Sequence, residues 1–194
     1  KHYMKTGISS KSLDFGNQLE AWLLEKDSFW NNYAILPDTY EDSKGNIKKF
    51  NLQSPKCREV RDRYERQGYS IIKQEEVDVL NDVEAMVNKS HIKSLLGGRP
   101  QVSVVWVDSE TDVLCKARFD VLNEENIVDL KSTKNATFHK FRKDMYDFKY
   151  HIQAAMYQDA WAYHNQGEIL PFIFVCIENK APYGIASYAI REDS

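Results

Sequence analysis

Cysteine is scarce in this chain of 194 residues, and Cys57, Cys115 and Cys176 lie far apart with no C-x-x-C spacing. An odd, scattered set argues against a disulfide framework, and against a zinc or iron–sulfur site built from cysteine alone. An intracellular, reduced, cytoplasmic protein is expected. Long apolar runs are also missing. The longest, such as PFIFVCI at 171–177, is far too short to span a bilayer, so no membrane association is expected. The opening KHYMKTGISSKS lacks the apolar h-region of a secretory leader. Strong charge of one sign is absent too. The formal net charge is −3 at pH 7, so any contact with nucleic acid has to come from a local basic patch.

What is present is the composition of a folded domain. With 42% hydrophobic and 12% aromatic residues, the chain can build a real core and is not globally disordered. The spacing predicts a helix over 12–26, where Leu13, Leu19, Trp22, Leu23 and Leu24 form one broad apolar face. A looped stretch is expected at 37–55. A charge-alternating helix should follow at 56–68 and end at Gly68, with a third helix at 74–89 and a short turn after it. Composition changes at Pro100. Runs at 101–107, 113–122 and 127–132 read as strands, 136–147 and 150–164 as helices, and 170–178 and 184–190 as closing strands. The expectation is a single domain with a helical N-terminal part, 1–99, and a sheet-containing core, 100–194. That order points to an α/β (α+β) fold, a central mixed β-sheet flanked by helices.

Within the run KARFDVLNEENIVDLKST at 116–133, Asp120 and Asp129 sit among apolar residues. Strand side chains alternate, so Asp129 and Lys131 share one face, and pairing of the two strands would bring Asp120 to Asp129. Two carboxylates converging in a partly buried site repel unless a divalent cation lies between them. Hard oxygen donors suit Mg²⁺, with Mn²⁺ as a substitute. An ammonium at Lys131 would then orient an attacking water or balance charge on a phosphate. Placed at exposed strand ends, the same three residues would form no more than a surface salt bridge. On the helix that follows, Gln153 and Tyr157 are four apart and share a face, either beside that site or as a polar pair at the edge of the core.

Between Lys131 and Lys149, basic residues including Lys134, Lys140 and Arg142 are interleaved with Phe138, His139, Phe141 and Tyr146. Such a segment can contact phosphates and stack on an unpaired base, or can simply be a solvated amphipathic face. Lys116 and Arg118 alternate with apolar residues toward Asp120 and share its side of the strand.

The run VLCKARFDVLNEENIVDLKST followed by YHIQAAMYQDA resembles the PD-(D/E)XK nuclease superfamily, and within it the RecE-like (exonuclease VIII) exodeoxyribonucleases. The upstream FGNQLEAWLLEKDSFWNNYAILP is similar to that family's first helix. The resemblance implies a restriction-endonuclease-like core. It also implies catalytic roles for Asp120, Asp129, Lys131 and Glu20, with Mg²⁺ held by Asp120, Asp129, the Leu130 carbonyl and Glu20. Tyr150, Gln153 and Tyr157 stand at the helix positions of the family pattern. Its relatives often carry histidine where this chain has Glu20, and glutamate where it has Gln101. The substrate implied is a linear duplex DNA end, degraded 5′ to 3′ in recombination or end resection. A homo-oligomeric ring and a single-strand annealing partner are implied with it. The alternatives are a RecB-type or CRISPR-associated single-strand or structure-specific nuclease, and a degenerate, non-catalytic DNA-binding subunit.

Overall fold

The computed structural model describes residues 11–190; the opening stretch read for a leader lies almost entirely outside them. The chain divides into two compact units, one of residues up to Leu24 together with Val83 onward, the other Glu25–Asp82.

The smaller unit holds the helix α2 (Lys26–Phe29), three short strands β1 (Tyr33–Ile35), β2 (Thr39–Glu41) and β3 (Ile47–Lys49), the helix α3 (Pro55–Arg66), and β4 (Ser70–Ile72). It ends within α4 (Gln74–Asn88). β2 and β3 form an antiparallel hairpin, while β1 and β4 pair in parallel. These strands occupy stretches that the sequence presents as loop or leaves unassigned. Strands of three residues carry too little alternation to register as a period. Pro55 opens α3 in its first turn, where a missing N–H costs nothing. Gly68, with φ +91°, turns the chain just beyond its end.

The larger unit is built on a mixed sheet of five strands: β5 (Arg99–Val107), β6 (Leu114–Leu122), β7 (Ile127–Thr133), β8 (Phe172–Glu178) and β9 (Ile185–Ile190), in that spatial order. β7 and β8 are parallel, and the other neighbours are antiparallel. The crossover between β7 and β8 carries α6 (Phe138–Asp147) and α7 (Tyr150–His164). The helix α1 (Lys11–Leu24) and the turn α5 (Ile92–Leu95) complete the unit. Interior β8, FIFVCIE, reads as one apolar run because both its faces are covered.

Alternation sorts those faces. Phe119, Ile127, Phe172, Phe174 and Cys176 turn toward α6 and α7, where Phe141, Ala154 and Ala160 close a buried cluster. Each ring buried in such a cluster contributes roughly 1.5–3 kcal/mol. Val128, Leu130, Val175 and Ile177 are buried on the opposite face, and α1 packs against β7 and β6. Leu19 and Trp22, three apart, form the buried stripe of α1. The Trp22 Nε1–H donates to Glu84 at 3.0 Å, tying α1 to the end of α4. α1 therefore belongs with the sheet, although 74 residues of intervening chain separate Leu24 from Arg99. Among the described residues, no helix is long and apolar enough to cross a membrane.

Candidate active site

β6 and β7 pair through only two residue pairs, Val121 with Val128 and Leu122 with Ile127. One step further in the same register would set Asp120 opposite Asp129, and there the strands part. The Leu130 N–H, which has no ladder partner on β6, donates instead to Asp120 Oδ2 at 2.8 Å. A carboxylate thus takes the place of a backbone carbonyl, and the gap in the sheet is lined by acid.

Asp129 is 2% exposed. Its Oδ1 accepts from Gln153 Nε2 at 2.6 Å, and its Oδ2 lies 2.6 Å from Lys131 Nζ. That second contact is an ion pair without hydrogen-bond alignment, so Oδ2 is a buried oxygen with no directed donor. Lys131 donates to Gln153 Oε1 at 3.1 Å and stands 4.8 Å over the Tyr150 ring. The Gln153 amide therefore gives to the aspartate and accepts from the lysine, and this fixes both. Tyr157, one turn further along α7, meets the same amide and packs on Phe119 at 5.3 Å.

Burial, followed by the neighbouring Asp129 and Glu20 charges, pushes the Asp120 carboxyl up to about 7. The Leu130 N–H and Lys131 oppose that shift only in part. Asp129 is raised by burial as well, against the pull of Lys131 and Gln153. For Lys131, burial acts to lower the ammonium, but the charge and contact of Asp129, with Asp120 behind it, raise it. A site in which two acids hold protons above their ordinary range favours added positive charge. Cys176, beside Lys131 in the β7–β8 register, is pushed up to about 12 by burial and is no nucleophile.

On the α1 side, Glu20 Oε1 accepts from Gln101 Nε2 at 2.7 Å and lies 3.4 Å from Arg118. Gln101 faces Asp120 across the β5–β6 register, yet the ladder skips it, because its φ is +54°. A non-glycine residue in that region costs of order 1–3 kcal/mol and persists where the surroundings impose it. Here the reward is an amide swung onto Glu20.

Residues 1–194 match the model of a protein family described as a PDDEXK-like domain of unknown function (DUF3799). The chain belongs to that family. The crystal structure of a "Putative exonuclease" from Eubacterium rectale superposes on this DUF3799 chain with a TM-score of 0.59 at 16% identity, over 96% of this chain and 61% of that one. The likeness establishes a restriction-endonuclease-like fold, and the DUF3799 chain spans about three fifths of that protein's length. None of the curated proteins matches it.

The sequence-predicted residues of this DUF3799 chain separate into two groups. Asp120, Asp129, Lys131, Gln153, Tyr150 and Tyr157 converge at the gap between β6 and β7, and Glu20, Gln101 and Arg118 border it. Lys116, Lys134 and Arg142 are exposed and make no contact with the acid pair, and Lys140 is bound to Asp144 on its own helix. The role of Gln101 in fixing Glu20 has no signal in the sequence, since neither its backbone conformation nor its partner is encoded locally.

The donor set can be tested against a divalent cation. Among the described residues, no three His, Cys, Asp or Glu side chains close around one point. Mg²⁺ takes only one or two carboxylates and keeps several waters, so that count does not exclude it. The undirected Asp129 Oδ2 and the raised Asp120 carboxyl are the oxygens such an ion would use. The residues fit the ion.

Proposed function

We propose that this chain is a metal-dependent nuclease that hydrolyses DNA phosphodiester bonds. The observation that carries the reading is the Asp120–Asp129 pair at the parted strands, with Lys131 held over it by Gln153 and Tyr150. Asp120, Asp129 and the Leu130 carbonyl would hold Mg²⁺ or Mn²⁺, with Glu20 beside them. Bound there, the ion would supply Lewis acidity and positive charge at the scissile phosphate. The chain's own residues do the rest. Lys131 donates hydrogen bonds toward the attacking water or the phosphoryl oxygens and offsets the charge that develops in line. Asp129 and Gln153 prevent the lysine from swinging away, and Tyr150 covers one side of it with a ring face. Arg118, 58% exposed at its side chain, offers a contact to the flanking phosphate.

The finer reading follows the RecE-like resemblance: an exodeoxyribonuclease acting 5′ to 3′ from linear duplex ends in recombination or end resection, working as a ring beside an annealing protein. Its test is digestion of 5′- and 3′-labelled linear duplex with Mg²⁺, Mn²⁺ or EDTA, against Lys131→Ala and against a closed circle. Metal-dependent release of the 5′ label by wild type, lost in K131A, is the expected result. Cutting of the closed circle would replace the exonuclease with an endonuclease.

A second reading, a non-catalytic DNA-binding subunit, draws on Gln101, which spends its amide on Glu20 where a third acid would otherwise serve the ion. Binding of duplex without any cleavage would select it.

A further inference from the structure

Beside the acid pair, on the α6 side of β7, lies a cavity of about 360 Å³ that the hydrolytic reading leaves unused. It shares Lys131 and Tyr150 with the candidate active site and is further lined by Lys134, Lys140, Asp144 and Phe148. Its volume is at the small end of ligand pockets, roughly 300–1,000 Å³. A duplex, with a major groove alone about 12 Å wide, does not enter such a space.

The chemistry of the lining is mixed in a particular way. Phe148 is 64% exposed, an apolar ring left in water where burial would favour it. Its centroid is 5.6 Å from the half-buried Tyr150, tilted by 31°, so the two rings make a shallow platform at the mouth. Deeper in, Asp144 is 8% exposed and paired with Lys140 one turn away. Lys140 is itself part-exposed, so the pair borders open space instead of packed core. Together Asp144 and Lys140 offer a hydrogen-bond acceptor next to a donor, the pattern that the edge of a nucleobase complements. Lys134 and Lys131 supply positive charge for the attached phosphates.

We propose that this cavity is a subsite for one unpaired nucleotide of the substrate strand. The base stacks at Phe148 and Tyr150, its edge meets Asp144 and Lys140, and its phosphate runs past Lys131 toward the acid pair. The proposal rests on the nuclease reading and narrows its substrate to ends that are frayed or carry a single-stranded tail.

The test is binding by the whole chain in EDTA, which keeps the DNA intact, followed by fluorescence anisotropy. The probes are a labelled hairpin duplex with a blunt end, the same hairpin with a short 5′ or 3′ tail, and the tailed hairpin with abasic tail nucleotides. One stacked base supports about a tenfold preference for a tailed hairpin over the blunt one. The abasic tail is expected to bind like the blunt end, and Phe148→Ala and Asp144→Asn are each expected to remove the preference. Phe148 is exposed, so F148A tests the platform without opening the core, and circular dichroism checks the fold of both variants. Equal binding of blunt and tailed hairpins, or a preference that survives both variants or the abasic tail, would overturn the subsite. If Lys131-dependent cleavage persists in that case, the nuclease reading stands without it. Failure to bind or cut any of these DNAs overturns both.

Discussion

At the scale of single residues, the candidate site is a set of charges that the fold destabilises and then constrains. Asp120 illustrates the cost. Its folded carboxyl lies near 7 because of burial and the charges of Asp129 and Glu20, against an ordinary value of 3.8. Between those values, the folded chain keeps a proton that the unfolded chain has released, so folding stability falls as pH rises from about 4 to about 7. The metal-free protein should therefore melt lower at pH 8 than at pH 5. The difference attributable to this group is roughly 2–4 kcal/mol. Thermal unfolding in EDTA at the two pH values checks it, with Asp120→Asn expected to flatten the slope. Asparagine keeps the acceptor for the Leu130 N–H and never ionises. Added Mg²⁺ should raise the melting point more at pH 8 than at pH 5, because the Asp120 carboxyl, pushed up to about 7, is ionised only at the higher pH.

Gln153 presents the converse case, a neutral group whose value is geometric. It touches Asp129 at 2.6 Å and Lys131 at 3.1 Å, and it touches no reacting atom by itself. Gln153→Ala is expected to lower kcat by about 10–100-fold, the range found when a supporting partner of a metal ligand is removed. KM should change much less. A loss carried mainly by KM would show that the residue grips the DNA strand instead of positioning the lysine.

At the scale of elements, α1 is the piece whose placement decides whether Glu20 can serve the site. Gly16 lets it come close, since a Cβ there would stand 3.2 Å from Ser132 Oγ on β7. Gly16→Ala should gain up to about 1 kcal/mol in helix propensity while pressing α1 away from the strand. The expected outcome is a protein of nearly unchanged melting temperature with reduced nuclease activity. The double variant with Ser132→Ala, which removes the crowded hydroxyl, should recover that activity.

The same element shows where the sequence was readable. The leucine and tryptophan spacing predicts α1 almost to the residue, and the strands and helices from Arg99 to Ile190 follow equally well from their periods. Register is also legible in part, because alternation alone puts Asp129 and Lys131 together. The parting of β6 and β7, the left-handed Gln101 and the Lys140–Asp144 cavity are not legible. They arise from contacts between segments that are distant in sequence or from a backbone conformation that no neighbour dictates. β1 to β4 escape for a different reason, being too short to show a pattern.

At the scale of the whole molecule, the proposed function asks an acidic protein to hold a polyanion. The net charge of −3 provides no long-range attraction, so affinity has to come from local basic residues: Arg118 beside the acid pair, and the segment between Lys131 and Lys149, where six basic residues stand against two acidic ones. Lys140 is bound to Asp144, and Lys131 serves the reacting phosphate at the acid pair, which leaves Lys134, Arg142, Lys143 and Lys149, all exposed, to meet phosphates further along the strand. Each phosphate contact releases condensed counterions, so the logarithm of the binding constant should fall with the logarithm of salt concentration by about 0.9 per contact on duplex. A total slope of about −5 or shallower is expected for a single chain, and Arg142→Ala should reduce it by about one if that residue meets a phosphate. A much steeper slope would require basic residues from more than one copy, the behaviour of a ring around its substrate. Sedimentation velocity on the same samples separates these cases, because a single chain of 22.6 kDa and a ring of several differ plainly in mass.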